Sequence, residues 1–204
     1  KASIDLDNLY VLFPMITNVE EVDEALRLLD RAILELGEEG ITVVRPKVGV
    51  MIEVPATIYQ MDALAKRVDF FSVGSNDLTQ YLLAVDRNNP RVSSLYDALH
   101  PALLGALLEL ANDATRLDKP ISLCGELAGD PAGALLLMAM GFTSLSMNAP
   151  SLPKVRAAIR RVPFSDAEQL LKEVMELDTP AQVHTHLEGR MDEWQLSHLM
   201  PPRD

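Results

Sequence analysis

The chain has 204 residues, with 18 Lys+Arg against 30 Asp+Glu for a net charge of −12, a length that suits one domain or two small ones. At 48% hydrophobic and 24% charged residues, with 10 Gly and 13 Pro, it is neither disordered, collagen-like nor low-complexity. The acidic excess repels phosphate backbones, so no nucleic acid is expected as a partner, and the single cysteine, Cys124, excludes an internal disulfide and fits a reducing, cytoplasmic compartment.

In chain order, Leu9 to Ile16 (LYVLFPMI) is an apolar run of strand length, expected to be buried on both faces. Thr17-Asn18-Val19-Glu20 reads as a capping box with Thr17 as the cap. Val19, Val22, Leu26, Leu29, Ile33 and Leu36 then recur at helical spacing, and Gly37 should close that helix. Lys47 to Val54 is a second buried strand, stopped by Pro55; Ala56 to Ala65 reads as helix, and Phe70 to Gly74 as a third strand. Asn76 is placed to cap a short helix through Leu83, and Asp86 to Pro90 is a polar loop. Leu103, Leu104, Leu107, Leu108, Ala111 and Ala114 mark a helix after Pro101, and Ile121 to Leu123 a short strand. Asp130-Pro131 supplies the cap and first-turn proline of a helix through Met140. Ser144 to Met147 is a fifth strand and Pro153 opens another helix. Ser165-Asp166-Ala167-Glu168 reads as a second capping box, for a helix to Leu177.

Apolar strands alternating with amphipathic helices indicate an α/β domain with a parallel sheet, either doubly wound or a (β/α)8 TIM barrel. A doubly wound sheet normally carries a Gly-rich turn after its first strand, and Pro14-Met15-Ile16-Thr17 is not one. In a barrel, polar residues at the C-terminal strand ends build the site. Here those ends carry Glu53, then Asn76 with Asp77, then Cys124 with Glu126. The expectation is a barrel in residues 1–163, present as a C-terminal portion lacking the first strands, followed by a helical extension over 164–204. The start at Lys1, within structured sequence, agrees with a piece of something longer. The longest mostly apolar stretch, Ala132 to Phe142, falls short of the ~18 residues that span a bilayer, and no membrane partner is expected.

Glu53 interrupts an apolar strand, where an unpaired carboxylate is costly to bury, so it is either salt-bridged or a ligand. With Asp77 one strand later, two carboxylates and no His or Cys cluster suit a hard cation such as Mg²⁺. Asp77 has a plainer reading as a helix-end residue beside Asn76. Cys124 is either a small buried hydrophobe or, beside Gly125, a thiol acting as nucleophile or proton donor. Gly125 leaves room for a ligand to approach the backbone. Arg87 in the polar loop is either surface decoration or a phosphate clamp. His184 and His186, at i and i+2, share no helix face and no metal role is assigned to them.

Four strings in order now stand out: Leu12-Phe13-Pro14-Met15-Ile16, Val50-Met51-Ile52-Glu53-Val54-Pro55, Gly74-Ser75-Asn76-Asp77-Leu78-Thr79-Gln80-Tyr81 with Ala84-Val85-Asp86-Arg87, and Cys124-Gly125-Glu126-Leu127-Ala128-Gly129-Asp130. Together they resemble signatures of phosphoenolpyruvate-utilising enzymes, and most closely the C-terminal domain of phosphoenolpyruvate-protein phosphotransferases, Enzyme I of the phosphotransferase system. Asn148-Ala149-Pro150-Ser151-Leu152-Pro153 and the acidic tail look more like the nitrogen-regulatory version. The resemblance implies a TIM barrel in which Glu53 and Asp77 hold Mg²⁺, Asn76, Asp77 and Arg87 hold phosphoenolpyruvate, and Cys124 donates a proton to make pyruvate. It implies a homodimer that passes phosphate to a histidine of its own and on to a small histidine phosphocarrier protein. The family's other phosphate-binding arginines and its phosphoacceptor histidine match nothing here, so the 204 residues alone are expected to be inactive. Pyruvate phosphate dikinase or phosphoenolpyruvate synthase share these strings and remain open, as does a dimerisation module without turnover of its own.

Overall fold

In a computed structural model that describes residues 1, 4, 6 and 8–200, one wholly parallel sheet forms the centre of the molecule. Its strands are β1 (Tyr10–Phe13), β2 (Lys47–Ile52), β3 (Phe70–Gly74), β4 (Ile121–Cys124) and β5 (Ser144–Ser146). They lie in chain order, each hydrogen-bonded to the next. A doubly wound sheet reverses direction at a switch point, and this one does not, so the fold is α/β and compatible with a stretch of a (β/α)8 barrel. The helices are α1 (Val19–Glu38), α2 (Met61–Ala65), α3 (Ser75–Leu82), α4 (Pro101–Arg116), α5 (Glu126–Gly129), α6 (Pro131–Met140), α7 (Leu152–Arg161), α8 (Phe164–Val174) and α9 (Pro180–Glu193).

Several expected elements differ in detail. β1 is not buried on both faces: among the described residues it pairs only with β2, and Tyr10 is 56% exposed. That ring meets Phe70 edge-on at 5.5 Å, across the gap left by Gly49, where a Cβ would strike the Phe70 ring at 2.4 Å. α1 is capped by Asn18, whose side chain accepts from the Glu20 and Glu21 N–H groups while Glu21 reaches back, because the helix starts one residue later than the Thr17 reading. It runs past Gly37 to Glu38, and the left-handed turn falls at Gly40. The stretch after Pro55 opens as a 3-10 turn, Pro55–Gln60, before α2. α8 begins at Phe164, so Ser165 is already inside the helix and its hydroxyl bonds Asp166 instead of capping. The Pro163 carbonyl takes the Asp166 and Ala167 N–H groups.

Residues from both ends of the chain share one core. Val50, Ile52, Phe71, Val73 and Leu123 of the sheet pack with Leu103, Leu107 and Leu110 of α4 and with α6. Ala167, Leu170 and Val174 of α8 and Val183, Leu187 and Met191 of α9 belong to the same cluster. α6 is apolar all round because α4, α7 and α8 cover it. Its cap, Asp130, takes the Gly133 N–H at 2.8 Å and is pushed above the ordinary carboxylate pKa by burial, against the pull of that hydrogen bond. A raised carboxylate pKa means the folded state holds its proton longer than the unfolded one. Stability therefore falls as pH rises from the unfolded value of about 4 through the raised native value. Asp130→Asn keeps the cap without the charge, so its stability advantage over the wild type should grow between pH 4 and pH 7 in urea melts. Asp130→Ala should be about 1 kcal/mol less stable than Asp130→Asn at either pH, the worth of the cap alone; a pH-independent Asn–Asp difference would refute the account.

Candidate functional site

The strand ends that carry polar residues converge at the C-terminal end of the sheet. β2 and β3 pair Ile52 with Val73, so Glu53, one residue further, sits beside Gly74. A Cβ on Gly74 would come within 2.8 Å of Glu53 Oε2, so only glycine leaves the carboxylate its place. Glu53 is 3% exposed. No cation pairs with it among the described residues; its Oε1 instead accepts the Met15 N–H at 2.7 Å. Met15 reaches that position with φ +54, a left-handed conformation unfavourable for a non-glycine residue, and so stores strain next to the carboxylate. Burial raises the Glu53 pKa, the Met15 N–H lowers it, and the neighbouring Asp77 carboxylate raises it again.

Asp77 lies in the first turn of α3, which starts directly from β3. The structure corrects the role of Asn76: Gly74 precedes the helix, and Asn76 is its second residue, not its cap. Its Oδ1 accepts the Glu126 N–H at 3.1 Å and faces the Tyr96 hydroxyl at 3.5 Å. With the oxygen so engaged, the Nδ2 amide protons are the ones turned to other acceptors. Gly125 is explained differently from the ligand-approach expectation. It has φ +133, and a Cβ there would meet Ser75 Oγ at 2.2 Å and Asn76 Oδ1 at 2.9 Å, so the room it leaves is filled by α3. Ser75 Oγ then donates to the Cys124 carbonyl at 3.1 Å, locking α3 to β4.

The Cys124 thiol lies 3.5 Å from the Val73 carbonyl, which accepts from it. Burial pushes its pKa up, a hydrogen bond with Ser72 pulls it down, and the Glu53 and Asp77 charges raise it further. The thiol therefore stays protonated, which suits a proton donor better than a nucleophile. Arg87 brings its Nη2 to 3.9 Å from Asp77 Oδ1, and its backbone N–H donates to Gln80 Oε1 at 3.1 Å. Glu53, Asn76, Asp77, Arg87 and Cys124 thus gather in one place.

Tyr96 is a candidate site residue that sequence reasoning does not single out. Its hydroxyl, whose pKa is raised by burial, donates to Asn76 Oδ1 at 3.5 Å and interacts with Thr79 and Arg87, so it stands where α3 and the Arg87 loop meet. An aromatic in a polar loop carries no motif by itself. Three of the four histidines have partners away from the carboxylates and thiol above: His184 with Asp97 at 2.9 Å, His186 with Glu173 at 2.8 Å, and His100 accepting the Ala102 N–H.

For a divalent cation the donor set is Glu53 and Asp77; no group of three or more His, Cys, Asp and Glu side chains clusters in a metal-binding way among the described residues. Two hard carboxylates suit Mg²⁺, which keeps waters and takes substrate oxygens for its other positions. The pair is otherwise a buried carboxylate against a like charge, an arrangement a cation relieves. The residues fit the ion. A cavity of about 580 Å³ is lined in part by Gly125 to Leu127 and Gly129 to Pro131, and none of Glu53, Asp77, Arg87 or Cys124 lines it. No helix among the described residues is long and apolar enough to cross a membrane.

Residues 1–164 match the family described as PEP-utilising enzyme, PEP-binding domain. Over 193 residues the chain is 44% identical to proteins of Salmonella typhimurium and Escherichia coli, each named phosphoenolpyruvate-dependent phosphotransferase system, covering 94% of this chain and 26% of each relative. It is 42% identical over 181 residues to a phosphoenolpyruvate-protein phosphotransferase of Haemophilus influenzae, covering 88% of this chain and 32% of that protein. The chain thus spans between about a quarter and a third of the length of these relatives. Among solved structures it is similar to a citrate lyase from Burkholderia xenovorans, with TM-score 0.52 and 18% identity over 93% of this chain and 67% of that one. It is similar to RipC from Yersinia pestis with TM-score 0.50 and 13% identity, over 79% and 68% of the two chains. Both are likenesses of fold.

Proposed function

The chain belongs to the PEP-utilising enzymes, as their PEP-binding domain, and from that premise we propose that it binds phosphoenolpyruvate in a phosphoenolpyruvate-protein phosphotransferase and helps convert it to pyruvate. The whole protein would move the phosphoryl group to one of its own histidines and on to a small histidine phosphocarrier protein. The observation that carries this reading is the gathering of Glu53, Asn76, Asp77, Arg87 and Cys124 at one end of the sheet, within the matched residues. The names of the relatives favour this reading over a dikinase or a synthase.

Each residue has a task that its surroundings support. Asn76, with its carbonyl oxygen held by the Glu126 N–H, turns its amide protons to the substrate's anionic oxygens. Arg87 balances the phosphate charge and presents a planar fork to it. Glu53 and Asp77 would hold Mg²⁺, which when bound supplies a Lewis acid for the substrate's carboxylate and phosphate oxygens. Phosphoryl transfer asks mainly for positioning and charge balance. When the phosphorus–oxygen bond breaks, the electron pair stays on the oxygen and leaves an enolate. The Cys124 S–H proton then goes to the methylene carbon, the carbonyl forms, and pyruvate and a thiolate result; solvent returns the proton to sulfur.

Finer features belong to the same proposal. Residues 1–163 form the barrel portion and 164–204 an extension, in keeping with a family match that stops at residue 164. The nitrogen-regulatory version is favoured by the resemblance carried by Asn148 to Pro153 and by the acidic tail. A cytoplasmic homodimer is what the family resemblance implies, and a lone unpaired thiol agrees with a reducing compartment. The test is calorimetric titration of the full-length protein with phosphoenolpyruvate and Mg²⁺. Arg87→Ala should weaken binding by about 10- to 100-fold, the range of a charge-assisted hydrogen bond. Unchanged affinity would remove Arg87 from the site.

A further inference from the structure

Between α3 and α4 the chain runs from Leu83 to His100 with a single 3-10 turn, Ser93–Leu95. A connection this long is uncommon in a packed domain unless it works in a site. This one carries both Arg87 and Tyr96. Many of its hydrogen bonds are local: the Asn88 N–H to Asp86 at 2.8 Å, the Arg91 N–H to Asn89 at 3.1 Å, the Leu99 N–H to Asp97 at 2.8 Å. These shape turns without tying the loop to the body. Tyr96 to Leu99 line the 580 Å³ cavity together with Glu126, Asp130 and His184 among others, so that, although Leu99 is anchored in the core, the side of this stretch that carries Tyr96 and Asp97 borders open space.

His184 spans that gap. Its Nε2 stands 2.9 Å from Asp97 Oδ2, while Asp97 Oδ1 takes the Leu99 N–H, so both oxygens of the carboxylate next to Tyr96 are engaged. The imidazole has a rigid base. Val183, Leu187 and Met191 of α9 are fully buried, and His186 ties α9 to Glu173 of α8. Pro180, the first residue of α9, also lines a groove with Leu83, Val85, Asp97 and His100. From the loop, the Tyr96 hydroxyl continues to Asn76.

We propose that His184 and Asp97 are positioning residues for the substrate site: α9 straps the Leu83–His100 loop so that Tyr96 and Arg87 stand at Asn76 and Asp77. The idea gives the extension a task in the proposed phosphoenolpyruvate reaction and rests on that reading. His184 and Asp97 side chains are 46% and 25% exposed, so the pair adds little to global stability. Its effect is local.

The test uses the full-length protein with His184→Ala, Asp97→Ala, the double variant, and His184→Gln, which keeps a side-chain N–H donor. Hydrogen exchange of the amides between 86 and 98 should speed up in both alanine variants without a matching fall in melting temperature. KM for phosphoenolpyruvate should rise about fivefold while kcat changes less than about twofold. The double variant should be no worse than either single one, and His184→Gln should recover part of the loss. Unchanged loop exchange overturns the strap, whatever ligand the site takes. Faster exchange with unchanged KM overturns the positioning role. Faster exchange in a protein that does not bind phosphoenolpyruvate keeps the strap and discards the substrate reading.

Discussion

Glu53→Gln or Asp77→Asn in the full-length protein should abolish Mg²⁺-dependent phosphorylation by phosphoenolpyruvate, a loss of at least ~10²-fold in rate. The fold should survive both changes. A glutamine at 53 still offers an oxygen to the Met15 N–H, which now donates to the Glu53 carboxylate at 2.7 Å. An asparagine at 77 removes the like charge that helps to raise the Glu53 pKa. Neither amide supplies the hard anionic oxygen that Mg²⁺ prefers. Phosphorylation assayed over a Mg²⁺ series, beside a thermal melt of each variant, separates a lost ligand from a lost fold. Wild-type turnover in either variant would sink the metal assignment.

Cys124→Ala should cut pyruvate formation by about 10²- to 10⁴-fold, the usual worth of a positioned acid, while phosphoenolpyruvate binding stays close to wild type. The thiol acts on the enolate carbon and makes no claim on the phosphate. Cys124→Ser should be nearly as poor, because a hydroxyl is a much weaker acid than a thiol whose pKa is raised only from its ordinary value. Burial of Cys124 is partial, so its truncation should leave the core standing. A pyruvate assay run with calorimetric binding decides the matter. Normal pyruvate output in Cys124→Ala would make the thiol a packing group whose hydrogen bond to Val73 is merely local.

Much of the architecture could be read in one dimension, because burial on both faces of a sheet demands continuous apolar runs, and amphipathic helices demand a period near 3.6. Phe70 to Gly74 and the Asp130–Pro131 helix start appear where the pattern places them. Within the expected helical extension, the start of α9 is equally legible: Thr179-Pro180-Ala181-Gln182 is a capping box with proline in the first turn. The errors fall where a tertiary neighbour decides. LYVLFPMI has the composition of a central strand, yet β1 is an edge in this chain, since nothing in an apolar run states how many partners it will find.

The candidate site divides the same way. Residue types and strand-end positions were enough to single out Glu53, Asp77 and Cys124, because a carboxylate or thiol ending a buried strand must have a reason to be there. What they do to one another came only from the fold. Parallel register sets Glu53 beside Gly74, and the backbone of Met15, 38 residues away, supplies its hydrogen bond. Gly125, with no side chain of its own, makes room for Ser75 and Asn76 from another strand end. Tyr96, Asp97 and His184 carry no local signal at all. Their meeting depends on a long loop and a tail helix arriving at the same cavity, and contacts between segments 87 residues apart are products of packing that no window along the chain contains.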